Sequence, residues 1–169
     1  MIEGAVKGFQ KATSQGVILQ DLIHGVEVKE TRNLITSNGI TTELFRSDWN
    51  LISDVVDHII HVSFRPNAVS AWHMHENRTD YISVIDGSIR IVVYDGRPNS
   101  PTAEKVSIIH SSNMHPTVVT LPPGVWHGFE NLDQKVTSII NYANKAYDYK
   151  NPDEWRLPWD TEKIPYRFR

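Results

Sequence analysis

The chain has 169 residues, 20 acidic against 17 basic side chains and a formal net charge of −3, which is the length of one domain and gives no electrostatic case for binding nucleic acid or an anionic membrane surface. Cysteine is absent, so disulfides, thiolate nucleophiles and thiolate metal ligands are all excluded, and histidine and carboxylates remain as the strong ligands. No stretch approaches bilayer-spanning length and residues 1–10 carry neither a basic leader nor an apolar core, so the expectation is a cytoplasmic protein whose single core buries roughly 70% of the unfolded surface.

In chain order, residues 1–45 read as an N-terminal arm, and 48–57 is ambiguous between loop and strand. From His58 onward, apolar residues recur at every second position: Ile60, Val62 and Phe64 share a face with His58, opposite Ile59, His61 and Ser63. Similar β-branched and aromatic runs follow at 81–85, 88–94, 105–109, 117–121 and 135–142. Turn signals separate them: Asp86-Gly87, Asp95-Gly96-Arg97-Pro98, Ser111-Ser112-Asn113 and Pro122-Pro123-Gly124. Short strands at regular spacing predict an all-β sandwich or barrel over about 46–146. The tail, 147–169, contains Pro152, Pro158 and Pro165 among Trp155, Trp159, Tyr166 and Phe168, so it cannot be one long helix and is expected to wrap the barrel or a partner subunit. No repeat, linker or low-complexity segment divides the chain.

Two short motifs some fifty positions apart carry the chemistry. The first is His73-Met74-His75 with Asp80 and Gly87 behind it; the second is Pro122-Pro123-Gly124-Val125-Trp126-His127, ending in Asn131. Strand alternation turns His73 and His75 to one side, and Trp72 and Met74 to the other. With His127 and Asp80 they make a set of three nitrogens and one oxygen, which suits a first-row divalent cation with positions left open for a ligand. The alternative is that these are hydrogen-bonded strand histidines and a turn aspartate. The two motifs resemble the paired signatures of the cupin superfamily, which implies a double-stranded β-helix, or jelly-roll barrel. Asn67 stands where that pattern has its leading Gly, Asp80 where it usually has Glu, and Pro116 where the second motif begins with Gly.

A more extended likeness runs from about Thr31 to the C-terminus. Gly39-Ile40-Thr41-Thr42-Glu43, Ala71-Trp72-His73, Val84-Ile85-Asp86-Gly87, the run Asp95-Gly96-Arg97-Pro98-Asn99-Ser100-Pro101-Thr102, and Pro122 through Phe129 resemble the dTDP-4-dehydrorhamnose 3,5-epimerase family. The resemblance implies a sugar epimerase acting on a nucleotide-linked 4-keto-6-deoxy sugar, with His73 on the catalytic base and His127 on a second active-site histidine. Tyr142 is the expected acid after a small shift, with Tyr147 and Asp148 nearby; Glu43, Arg97 and Trp126 are the expected substrate contacts. It also implies a homodimer in which the N-terminal segment reaches a neighbour.

The equipment around the base departs from that family. Ser70 and Asn38 replace arginines and Asp80 replaces a lysine, so three cations are lost, while His75 replaces a glutamine. Two positions have thus changed toward metal ligands. A divalent cation of unknown type on His73, His75, Asp80 and His127 is therefore expected to stand in for the lysine. His73 could not then also be a free base, and Tyr81, Tyr142 or His61 would have to carry protons. A metal-dependent cupin enzyme on another small acid or carbohydrate, or a non-catalytic sugar-binding cupin, are the alternative readings. Arg65, Arg78 and Arg90 read as solvated surface arginines, and His24, His110 and His115 as solvated or capping residues.

Overall fold

A computed structural model describes residues 2–15, 18–51 and 55–169. Among these the chain forms twelve strands, one 3-10 turn at Ser47–Trp49, and no α-helix. Six strands coincide with the alternating runs: β4 (His58–Phe64), β6 (Asp80–Asp86), β7 (Ser88–Asp95), β8 (Val106–Ser112), β9 (Thr117–Leu121) and β11 (Thr137–Ala143). The two motifs lie on β5 (Val69–Met74) and β10 (Val125–Asn131). Four further strands have no counterpart in the sequence reading: β1 (Glu27–Glu30), β2 (Asn33–Thr36), β3 (Gly39–Thr42) and β12 (Trp155–Arg156). Of the ambiguous segment 48–57, residues 52–54 lie outside the described residues.

The strands make two antiparallel five-stranded sheets, ordered β1-β9-β6-β11-β4 and β12-β5-β10-β7-β8, with β2 and β3 as a separate hairpin. This is the expected all-β cupin barrel. Its inner space is filled by Ile82 and Val84 from β6, Ile89, Ile91 and Val93 from β7, Ile109 from β8, Val119 and Leu121 from β9, Phe129 from β10 and Ile139 from β11. Each strand contributes alternate residues, because a pleated strand turns successive side chains to opposite faces.

The arm and the tail are more integrated than the expected boundaries suggest. β1 pairs with β9 as an edge strand of the first sheet, and Ile23 and Val26 belong to the barrel core. β12 pairs with β5, and its pairing continues through Trp72 and Leu157, which exchange backbone hydrogen bonds. Beyond it, Ile164 and Phe168 cover the outer face of the second sheet, packing on Trp72 and Val92. Trp72 is fully buried, with the Phe168 ring centroid 5.0 Å away. The tail therefore wraps this chain's own barrel. The outer face of the first sheet, with Tyr81, Val118 and Tyr142, is covered by Leu44, Trp49, Leu51 and Val56.

Two turn positions explain their residues. Asn67, in place of the pattern's glycine, has φ 57°, a left-handed conformation that asparagine tolerates better than most. Gly87 has φ 80°, and a Cβ there would lie 2.5 Å from the Thr137 hydroxyl oxygen and 2.7 Å from the Asp133 carboxylate. No helix of the described residues is long and apolar enough to cross a membrane.

Candidate active site

A cavity of about 300 Å³ opens inside the barrel between β4, β5, β6, β10 and β11. Its walls include the apolar side chains of Ile60, Val62, Phe64, Ile82, Phe129 and Ile139, and its polar groups are Ser70, His73, His75, Arg78, Asp80, His127, Asn141, Tyr147, Glu154 and Arg156. Strand parity decides this lining. On β6, Asp80 and Ile82 point inward while Tyr81 packs into the outer cluster; on β11, Ile139 and Asn141 point inward while Tyr142 points out.

Two histidines are fixed by their backbones. His127 Nδ1 lies 3.2 Å from the Val125 carbonyl, which only accepts, so Nδ1 carries the hydrogen and Nε2 is left to the interior. His75 Nδ1 likewise donates to the Asp153 carbonyl, which makes Nε2 an acceptor. That acceptor is met by the guanidinium of Arg78, whose Nη2 is 2.7 Å away. Arg78 also pairs with Asp80: Nε stands 2.9 Å from Oδ1 and Nη2 stands 3.4 Å from Oδ2. The turn carrying Arg78 is pinned from both sides, since the Asp153 carboxylate accepts from the Glu76 and Asn77 amides at 2.9 Å and Asn144 Oδ1 accepts from the Thr79 amide at 2.9 Å.

His73 differs from its neighbours. Its ring stands edge-on to His127, centroids 5.8 Å apart, and neither ring nitrogen has a hydrogen-bond partner among the described residues. Arg156 is its cross-strand partner on β12, and both side chains line the cavity. Arg156 is held by Glu154, Nη2 to Oε1 2.6 Å.

Burial dominates the protonation of the site. It pushes the His73 imidazole down to about 4, with the Arg156 charge adding to the effect. It pushes His127 down to about 3, against the opposing attraction of Asp80. Both rings are therefore neutral at neutral pH. Burial alone would raise the Asp80 carboxyl, but His75, His127 and Arg78 around it reverse this and hold it well below the ordinary carboxylate range.

Of the four residues expected to hold a metal, three converge: ligand atoms of His75, Asp80 and His127 all lie within 4.8 Å of one another, and all three residues are buried. His73 shares the cavity but stands outside that cluster.

The expected substrate contacts and the expected acid lie elsewhere. Tyr142 packs against Phe45 on the outer face, ring centroids 6.1 Å apart, where burial pushes its phenol up. Tyr81 shares that outer cluster, and His61 sits beside Ser63 on the outer side of β4, so none of the three suggested proton carriers faces the cavity. Glu43 is exposed and paired with Arg46 at 3.0 Å. Trp126 alternates with His127 and packs into the outer cluster with Val92 and Phe168.

Arg97 has a structural task. Asp95 is fully buried, and its carboxylate accepts from Arg97 Nε at 2.8 Å, Arg97 Nη2 at 2.9 Å, Ser100 at 2.5 Å and Thr102 at 2.6 Å. The Asp-x-Arg-x-x-Ser-Pro-Thr run is thus a set of donors folded around one buried acid.

Arg78, Asn141, Glu154 and Arg156 are the polar cavity residues that the sequence reading left out or passed over, and Tyr147, named there beside Tyr142, is the tyrosine that lines the cavity. Arg78 lies two positions before Asp80, a same-face spacing hidden by the intervening turn. Glu154 and Arg156 have the same period-two spacing inside a segment that its prolines mark as irregular.

A model of the dTDP-4-dehydrorhamnose 3,5-epimerase family matches residues 20–168. The chain is similar to the probable low-salt glycan biosynthesis epimerase Agl13 of Haloferax volcanii, 34% identical over 139 residues that cover 82% of this chain and 89% of that protein. It is also 31% identical over 150 residues to the spore coat polysaccharide biosynthesis protein SpsL of Bacillus subtilis, covering 87% of this chain and 97% of the relative. Among solved structures, a dTDP sugar isomerase from Desulfovibrio desulfuricans superposes with a TM-score of 0.82 at 25% identity, over 90% of this chain and 95% of the other.

Proposed function

The chain belongs to the dTDP-4-dehydrorhamnose 3,5-epimerase family, and from that premise we propose that the barrel cavity inverts a carbon beside the ketone of a nucleotide-linked 4-keto-6-deoxy sugar, with His73 as the base. The observation that supports this reading is the state of His73: a neutral imidazole in the cavity wall, with neither ring nitrogen engaged. His75 has both ring nitrogens engaged, by the Asp153 carbonyl and by Arg78, and burial pushes His127 lower still, so His73 is the more basic of the two rings that keep a free nitrogen.

The step is a proton transfer. A ring nitrogen of His73 takes the hydrogen from the carbon next to the ketone, the C–H electron pair becomes a carbon–carbon double bond, and the carbonyl pair moves onto oxygen as an enolate. Return of a proton to the opposite face inverts the centre. Tyr147, the phenol lining the cavity, is the donor we assign to that face in place of Tyr142. Asn141 Oδ1 is buried without a hydrogen-bond partner among the described residues, which leaves an acceptor for a sugar hydroxyl. His127 Nε2 offers a second acceptor.

The test is incubation with a dTDP-4-keto-6-deoxyhexose in deuterated water, followed by NMR at C3 and C5. Uptake of deuterium that falls by about 1,000-fold in His73→Asn is expected of a general base. Exchange in the variant at the wild-type rate would remove His73 from the role.

A second reading keeps a divalent cation at the site, favoured by the convergence of His75, Asp80 and His127. Those three would be its ligands, and it would supply a Lewis acid for the ketone oxygen. It would have to take the place of the Arg78 guanidinium. A homodimer in the cytoplasm completes the proposed reading, with Glu43 and the β2–β3 hairpin reaching the substrate of a neighbouring subunit, since they do not line the cavity of their own.

A further inference from the structure

The epimerase reading calls for a positive group or hydrogen-bond donor at the enolate oxygen, and Ser70, Asp80 and Asn38 stand where the resemblance implies cations. A bare Asp80 beside a developing negative charge would oppose the reaction. The cavity resolves this by another route. We infer that Arg78, clamped by Asp80 and His75, is the built-in cation that holds the enolate oxygen, and that it fills the place the three converging donors would otherwise offer to a metal; the inference rests on the epimerase reading of the same cavity.

Four observations support it. The guanidinium reaches two of the three candidate ligand residues at contact distance, His75 Nε2 at 2.7 Å and Asp80 Oδ1 at 2.9 Å. A divalent ion added there would face a fixed positive charge that cannot be neutralised by losing a proton, because arginine stays protonated in proteins. The side chain is only 11% exposed, so its charge acts through little water and is worth far more at an oxygen than a surface arginine's.

The contacts to Asp80 and His75 run through Nε and Nη2; Nη2 makes the hydrogen bonds, Nε is buried without a hydrogen-bond partner among the described residues, and Nη1 takes no part in these contacts and is left to donate. The backbone on either side of Arg78 is anchored by Asp153 and Asn144, which fixes the fork before substrate arrives. Asp80 and His75 are then positioning residues: they orient the guanidinium and do not touch the sugar. In the transfer itself, the C–H pair becomes the carbon–carbon double bond, the carbonyl π pair ends as a lone pair on the ketone oxygen, and Nη1–H donates to that oxygen without giving up its proton. The proton taken by His73 passes to solvent, and Tyr147 supplies the one that reaches the opposite face.

The experiment has one arm that needs no substrate. Chelator-treated wild-type protein is titrated with Co(II) and its visible d–d absorption is followed; the same titration is run on Arg78→Ala, with circular dichroism confirming that the variant is folded. The expected result is no stoichiometric cobalt band in the wild type and a new one in Arg78→Ala, lost again in Arg78→Ala/Asp80→Ala. The second arm is deuterium exchange into the 4-keto sugar. It should be insensitive to chelator in the wild type and about 100-fold slower in kcat for Arg78→Ala, with KM changed little and part of the rate restored by added guanidinium chloride.

Stoichiometric cobalt in the wild type that Asp80→Ala abolishes, or chelator-sensitive exchange, would overturn the inference and return the site to a metal. Undiminished exchange in Arg78→Ala would overturn it as well. If wild-type protein exchanges no 4-keto sugar, the epimerase reading has failed, and the cobalt arm still decides whether Arg78 fills the donor set.

Discussion

At the scale of single residues, the strongest constraint is a buried charge that must be answered. Asp95 is fully enclosed, and burial alone would raise its carboxyl; hydrogen bonds from Arg97, Ser100 and Thr102 hold it well below the ordinary carboxylate range. Arg97→Ala would leave that carboxylate short of its two guanidinium bonds. We expect a loss of about 3 kcal/mol in urea unfolding, of which Arg97→Lys recovers a part, because an ammonium cannot make the same two-pronged contact. A variant of full stability with a raised KM would restore the substrate-binding role first read for Arg97. The same logic of buried charge separates Arg78 from a surface arginine: 11% exposure and a partner in Asp80 place it in the interior, where its default reading as a solvated cation no longer applies.

At the scale of elements, one-residue parity assigns the roles carried by strand residues. His73 and His75 face the cavity because Trp72 faces the outer cluster, and Tyr142 is excluded because Asn141 is included. The two-residue strand β12 has an effect beyond its length. It delivers Arg156 opposite His73, and the segment after it seals Trp72 under Ile164 and Phe168. Phe168 is 6% exposed and touches Trp72 and Tyr166, with centroids 5.0 and 4.9 Å apart. Phe168→Ala should cost about 3 kcal/mol by opening a cavity over the β5–β10 face. Thermal unfolding measures it. A change under 1 kcal/mol would mean that the tail does not hold β12 against the barrel.

At the scale of the whole molecule, two properties follow from sums over sites. His73 and His127 fall from 6.5 to about 4 and about 3 on folding, so between those values the unfolded chain binds more protons than the folded one. Stability contributed by keeping these rings neutral is complete above pH 6.5 and is lost as pH falls toward 4, at no more than about 1.4 kcal/mol per pH unit for each ring. Asp80 and Asp95, both depressed, add a further loss below 3.8. A Tm that is level from pH 8 to 6.5 and then declines is expected, with a shallower decline in His127→Asn; a level Tm down to pH 4 would contradict it. The second property is assembly. The β2–β3 hairpin exposes Leu34, Ile35 and Ile40 at 53, 82 and 65%, and Ile59 on β4 is 62% exposed. Such apolar surface is suited to a second subunit. Light scattering should give twice the 19.3 kDa chain mass, and a monomer at micromolar concentration would refute the dimer.

The sequence by itself determined the barrel, because a period of two in apolar residues, cut by Asp-Gly and Pro-Gly turns, is a local signal that survives without knowledge of the pairing. It also determined which side of β5 faces inward, and it brought His73, His75, Asp80 and His127 to one cavity through motif spacing. Tertiary structure alone decided what those residues meet. Arg78 enters the cavity by way of a turn pinned by Asp153, which lies some 76 positions along the chain, and Arg156 arrives on a strand too short to leave a period. Arg97 turns to a buried acid two positions before it, and that acid's burial depends on the packing of the whole sheet. Contacts of this kind depend on which distant segments share a volume, and side-chain order along the chain does not encode that until the chain has folded.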